Sequence, residues 1–128
     1  MKSKISESIS EFLDFLRISE SQYHFCVEKV DYYNRLREDD IHDIELSAMN
    51  YKERAKFATA MRKHLLDRRK YKDELAVLKP LVDFVADPTN KRVIDKLTQV
   101  LGAVRREEKR LESRTYNRRV KEIKEEGR

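Results

Sequence analysis

The amino-acid sequence predicts an all-α chain, an elongated helical bundle with two long helices, coiled-coil-like seams and an oligomeric state. Three observations carry that prediction. Only two Gly and two Pro occur in 128 residues, which argues against a turn-rich sheet. Apolar residues recur at steps of three and four over long stretches. Ahead of those stretches, Ser or Asn is repeatedly followed three residues later by Glu or Gln, the spacing of a capping box. The length suits a single domain, 1–128.

Residues 1–46 read as a set of N-terminal helices. Ile5, Ile9, Phe12, Leu13 and Leu16 keep helical spacing, after a start at Ser3, Ser6 or Ser8. Ser19 and Gln22 in "SESQ" repeat the capping signal. A second helix is therefore expected to carry Tyr23, Cys26, Val27, Val30 and Tyr33 on one face and to end near Arg37. "EDDIHDIEL" predicts a short third helix, with Asp39 and Asp40 favoured by the partial positive charge of its first turn. "SAMN" is a joint, and Asn50 with Glu53 starts a long helix over 51–79. Pro80 lacks a backbone donor and is expected to end or kink that helix. Its seam, Phe57, Met61, His64, Arg68, Tyr71, Leu75 and Leu78, alternates steps of four and three, a heptad pattern with two polar members.

Residues 80–86 form a short apolar segment, and "ADPTN" is the strongest turn signal in the chain. Asp87 suits a helix cap and Pro88 a first helical position. A long basic helix is expected over 88–120, with Ile94, Leu97, Leu101, Val104, Leu111 and Thr115 on its seam and Glu108 interrupting it. Gly102 costs about 1 kcal/mol there relative to Ala, unless it permits close helix approach. Residues 121–128 are expected to fray.

Charged residues make up 41% of the chain and hydrophobic ones 39%, so the core is thin and a homodimer or higher oligomer is expected. The net charge is +5, and residues 105–128, with ten basic against six acidic side chains, supply +4 of it. Nucleotides, nucleic acid and acidic proteins are the partner classes that balance fits. Cys26 stands alone, which leaves no intrachain disulfide and fits a reducing, cytoplasmic setting. The first residues carry no signal-peptide pattern, and no apolar run reaches membrane-spanning length, so no membrane partner is expected. There is no Gly-rich phosphate loop, and His24, His42 and His64 are scattered. Asp39 and Asp43 are the one same-face acidic pair in "DDIHDIE", which an acidic first turn explains without a metal. Cys26 sits on an apolar face as a buried thiol. No catalytic residue, metal or cofactor is expected, and the chain does not read as an enzyme.

The distinctive stretch is "RREEKRLESRTYNRR", where Arg106, Arg110, Arg114 and Arg118 recur every fourth residue. On a helix the first three share a face and Arg118 drifts round it. Such a ladder is a solvated face, an anion site in which guanidinium forks bind phosphate, or a contact for an acidic protein. A second basic cluster, "MRKHLLDRRKYKDE", places Arg62 and Arg69 seven apart on one face, with Arg68 on the seam. Phe84 and Tyr116 are rings near polar or basic residues, Asn90 and Lys91 in the first case. Ring, amide and guanidinium are together the groups a nucleotide needs, although Phe84 also fits a core.

In order and wording, "RRKYKDE", the apolar segment with Phe84, the turn and "IDKLTQVLGAVRREEKRLESRTY" resemble small proteins of Gram-positive phages and prophages, and more specifically the Thoeris anti-defence sponge family. The resemblance covers roughly Asp40 to Tyr116. It implies a non-enzymatic phage protein that sequesters cyclic ADP-ribose signals made by bacterial TIR-domain enzymes. Its pockets would be shared between protomers, and some members also hold cyclic oligonucleotides. It further implies some strand content, an adenine-stacking role for Phe84, ligand-facing roles for Arg110 and Arg114, and polar contacts from Asn90, Asp95 and Lys96.

The leading expectation is thus a protein that binds a small anionic signalling nucleotide through Arg110, Arg114, Arg106, Phe84, Asn90, Asp95 and Lys96, with Arg62 or Arg69 supplied by a neighbouring subunit. Two alternatives stand beside it. The basic last helix can lie along a nucleic-acid backbone, or the unfilled helical seam can dock a partner helix, making the protein an adaptor or inhibitor.

Overall fold

The structure, a computed structural model, describes residues 4–116. It contains three α-helices: α1 Ile5–Leu46, α2 Tyr51–Ala86 and α3 Pro88–Glu112. The chain is all-α, and no strand occurs among the described residues, so the strand content implied by the resemblance is not found in them.

α1 is one continuous helix of 42 residues, about 63 Å long at 1.5 Å per residue. The separate N-terminal helices expected from local spacing are fused. The residues that resemble caps and first turns are engaged across the packing instead. Ser19 is buried, Gln22 Nε2 donates to Glu74 Oε1 at 2.7 Å, and Asp40 is buried against His64. Gln22 and Asp40, which would favour a break, therefore find their partners with the helix intact, and Ser19 is packed into the seam.

The joint and the start of α2 follow the sequence closely. Asn50 Oδ1 accepts from the Glu53 N–H at 2.8 Å, and Glu53 Oε1 accepts from the Asn50 N–H at 3.2 Å, a full capping box. α2 does not stop at Pro80 but continues to Ala86. The missing donor costs one helical hydrogen bond. The half-buried Leu81, Val82 and Val85 continue the apolar pattern beyond it and keep the helix on its track. The predicted apolar segment 80–86 is thus the last turns of α2.

Asp87 alone separates α2 from α3. Its carboxylate accepts from the N–H groups of Thr89 at 2.9 Å and Asn90 at 3.3 Å, with Pro88 in the first turn. α3 ends at Glu112, earlier than the expected 120. Ser113 follows as C-cap, and its hydroxyl bonds back to the Lys109 carbonyl at 3.1 Å. Residues 117–120 of the predicted helix and the predicted tail 121–128 lie outside the described residues.

Cross-helix bonds define the topology. Asp40 meets His64, Asn34 meets Arg68 and Gln22 meets Glu74, so α2 runs antiparallel to α1. A hairpin return at Asp87 would carry the end of α3 back toward the middle of α2. Instead Lys4 Nζ donates to Glu112 at 2.7 Å and the Ser6 N–H donates to Glu108 at 3.1 Å. α3 therefore keeps the sense of α2 along α1. The molecule is an antiparallel helical hairpin whose second arm breaks at one residue.

The seam is thin and partly polar. Leu16, Cys26 and Leu101 are the buried apolar side chains among the described residues, with Ser6, Ser19 and Asp40 buried beside them. Ser19, Cys26, Tyr33 and Asp40 are seven apart, so one seam position of α1 alternates small and polar residues. Across it, Phe57, Met61, His64, Arg68, Tyr71, Leu75 and Leu78 are all half-buried, as their heptad spacing predicts. Both polar members of that set are satisfied: His64 Nδ1 lies 2.8 Å from Asp40 Oδ2, and Arg68 Nε donates to Asn34 Oδ1 at 2.7 Å. Tyr33 stacks on Tyr71 at 5.9 Å between ring centroids. Directional pairs of this kind fix register where apolar contacts alone tolerate slippage.

Candidate functional surface

The arginine ladder extends only two rungs along α3. Arg106 and Arg110 lie on the helix and are exposed. Arg110 grips Glu107 with both arms of its guanidinium, Nε to Oε2 at 2.8 Å and a terminal nitrogen to Oε1 at 3.1 Å. That bond raises the Arg110 pKa and lowers that of Glu107. Arg114 lies past the last helical residue, its N–H bonded to the Leu111 carbonyl at 3.3 Å, and so leaves the shared face. Arg118 lies outside the described residues. Arg106 folds back over Gly102: a Cβ built on Gly102 would lie 3.6 Å from the Arg106 guanidinium. That is ordinary contact distance, so Gly102 serves no close helix approach.

The remaining candidates fall into two separate places. Phe84 is exposed at the end of α2, and Asn90 is occupied by the joint, its side-chain amide donating to the Phe84 carbonyl at 3.0 Å. Asp95 lines a cavity of about 410 Å³ with Leu13, Leu16, Arg17, Lys91 and Ile94, where α1 meets the α2–α3 joint. Its cations and carboxylates balance, Arg17 and Lys91 against Glu20 and Asp95, so it does not select an anion. From Pro88 to Arg110 is 22 residues of helix, about 33 Å. Phe84 and Arg110 of one chain therefore cannot touch one small nucleotide. Arg62 and Arg69 lie near the other end of the hairpin, beside the Asp40–His64 pair, about 50 Å along α1 from Arg110. Arg69 approaches Asp73 at 3.9 Å, whereas Arg62 and Arg106 make no ion pair among the described residues.

What the structure does bring together is an apolar stripe with a basic edge. α3 packs on α1 through Ile94, Leu97, Leu101 and Val104, which leaves Val93 and Val100, seven apart, on the outside at 60% and 47% exposure. Val100, Ala103, Val104 and Leu111 line an almost wholly apolar groove that Ile5 of α1 closes. Glu107 interrupts that stripe and is tethered by Arg110. On the outer side of the stripe, helical spacing places Lys96 first, then Arg92 and Arg110. Two of the predicted site residues, Lys96 and Arg110, thus border one surface, whereas Arg106 is turned away from it over Gly102.

Glu108, which breaks the α3 seam, has a role that local spacing could not assign. It accepts the Ser6 N–H in the first turn of α1, where Lys4 offers no side-chain cap. A carboxylate from another helix thereby supplies the acceptor and the negative charge a helix N-terminus favours. Hydrogen bonding from Ser6 holds the Glu108 carboxyl below its ordinary pKa. Glu112 likewise raises the pKa of Lys4.

Among the described residues no three His, Cys, Asp or Glu side chains gather to hold a metal ion, and no helix is long and apolar enough to cross a membrane. Cys26 is fully buried, and burial, followed by the nearby Glu74, pushes its thiol pKa up. Against protein-family models, curated proteins and solved structures, the chain gives no match. The resemblance to the sponge family therefore rests on the residues quoted for it.

Proposed function

We propose that the protein is a non-enzymatic helix-docking adaptor or inhibitor, and that α3 binds an amphipathic helix with an acidic flank. The observation that carries this reading is the exposed stripe of Val93, Val100 and Leu111, closed by Ile5 and bordered by Lys96 and Arg110. Helix-in-groove recognition takes apolar anchors at i, i+3, i+4 and i+7. A basic edge selects partners by charge more than it adds affinity. The measurement is fluorescence anisotropy with two labelled amphipathic peptides that share leucine anchors and differ only in flanking glutamates or lysines. The glutamate peptide should bind, more weakly as salt rises, and Val100→Glu should abolish its binding. Equal binding of both peptides, or of neither, refutes the proposal.

A second reading is sequestration of an anionic nucleotide between subunits. It is favoured by Arg62 and Arg106, two cations without ion pairs among the described residues. They lie toward opposite ends of the hairpin, so only two chains arranged end for end bring them to one ligand. Calorimetry with cyclic ADP-ribose isomers and cyclic oligonucleotides tests it, and no micromolar binding across that set ends it.

A further inference from the structure

A different face of the hairpin stays uncovered. On α1, Ile18, Phe25 and Tyr32 are seven apart, and Phe15 lies one turn before Ile18. α3 packs on the other side of α1, through Ser6, Leu13 and Leu16, and does not reach them. The same side of α2 is identified by two contacts, Gln22 with Glu74 and the Phe25 ring edge against Tyr71. Val77 lies three residues beyond Glu74, and Phe84 seven beyond Val77. These six side chains, four rings and two aliphatics, are between 44% and 78% exposed.

The area decides what such a face is for. An aromatic side chain carries about 150–250 Å², so six large apolar side chains roughly half exposed present on the order of 600 Å². That is the upper end of the largest apolar patch found on typical monomers, about 300–600 Å². With its flanks it approaches the roughly 800 Å² each partner gives to a stable interface.

The charges along this face are ordered end to end. Toward the start of α1 its edge carries Glu7 and Glu11, neither in an ion pair among the described residues. Toward the other end it carries Lys29, over the Phe25 and Tyr32 rings at 5.5 and 5.9 Å, and Lys70, over Tyr71 at 5.6 Å. Parallel stacking of two such faces would set like charges together. Antiparallel stacking about a two-fold axis sets the acidic end of one on the basic end of the other.

We propose that this face binds a second copy of the chain, with the two α1 helices antiparallel and crossing near residue 20. Antiparallel pairs keep a constant sum of residue numbers. In this register Phe15 lies opposite Phe25 of the second copy, and Glu11 opposite its Lys29, each contact occurring twice. The interface is separate from the α3 stripe, so either surface can fail without the other.

Sedimentation equilibrium on the full chain tests the proposal. The wild type should be dimeric, and Ile18→Glu, at a position 64% exposed, should give a monomer with unchanged helical circular dichroism. Lys29→Glu and Glu11→Lys should each weaken the dimer about tenfold, and the double reversal should restore it. A monomeric wild type overturns the proposal, as does a dimer indifferent to Ile18→Glu or a double reversal no tighter than the single ones.

Discussion

The Asp40–His64 pair gives the sharpest test of how the hairpin is held. Its two side chains are unequally placed, 8% exposed for Asp40 and 30% for His64. Replacing either with Ala removes the same 2.8 Å bond and gains a similar few tenths of a kcal/mol in helix propensity. The difference lies in what is left behind. After Asp40→Ala the imidazole turns toward water, and the loss is that of a hydrogen bond to a charged group, about 1–2 kcal/mol. After His64→Ala the carboxylate stays inside the seam without a partner, and its desolvation adds to the loss, about 2–4 kcal/mol in all. His64→Ala should therefore be the more damaging change by about 1 kcal/mol or more. Urea unfolding followed by circular dichroism at one fixed protein concentration reads both, with unchanged m-values as the condition for comparison. Equal losses, or a larger one for Asp40→Ala, would show that burial of the carboxylate does not govern this seam.

Other consequences can be measured on the same protein. Gly102→Ala should stabilise the chain by about 1 kcal/mol, since the added Cβ meets only the Arg106 guanidinium at 3.6 Å; thermal unfolding checks it, and a destabilised variant would contradict the free space described. Burial raises the Cys26 thiol pKa, so an aromatic disulfide reagent should react slowly at neutral pH and at the free-thiol rate once urea unfolds the chain. Glu107 and Glu108 have lowered folded pKa values. Their contribution is complete above the unfolded carboxyl value, near 4.3, and is lost as pH falls through the lower folded values. Glu108→Gln should therefore flatten the acid limb of the stability profile while costing stability at neutral pH, and an unchanged limb would remove Glu108 from the cap of α1.

Much of the fold is legible in the sequence, because much of it is local. The α2 seam from Phe57 to Leu78 is set by spacing, and the Asn50–Glu53 and Asp87–Pro88 helix starts by the chemistry of adjacent residues. What spacing misreads is polar groups buried or paired by distant contacts. Ser19 and Asp40 look like helix starts until Leu16 and Cys26 on either side of Ser19 and His64 across from Asp40 are in place. Asp87 and Pro88 announce a helix start but not its direction, so the continuation of α3 along α1 needed the Lys4–Glu112 and Ser6–Glu108 contacts. The candidate surface was half visible. The basic residues stood out, but their shared border with Val93, Val100 and Leu111 depends on which side of α3 is turned to α1, a property of packing.

The single residue between α2 and α3 sets a phase. Each residue of helix advances the azimuth by 100°, and Asp87 is at once the end of one helix and the cap of the next. One residue inserted there would rotate the basic-edged stripe of α3 by more than a quarter turn relative to the aromatic face of α1 and α2, with no change in the composition of either. The angle between the two faces, and hence whether one chain can present both at once, is encoded in the length of that joint.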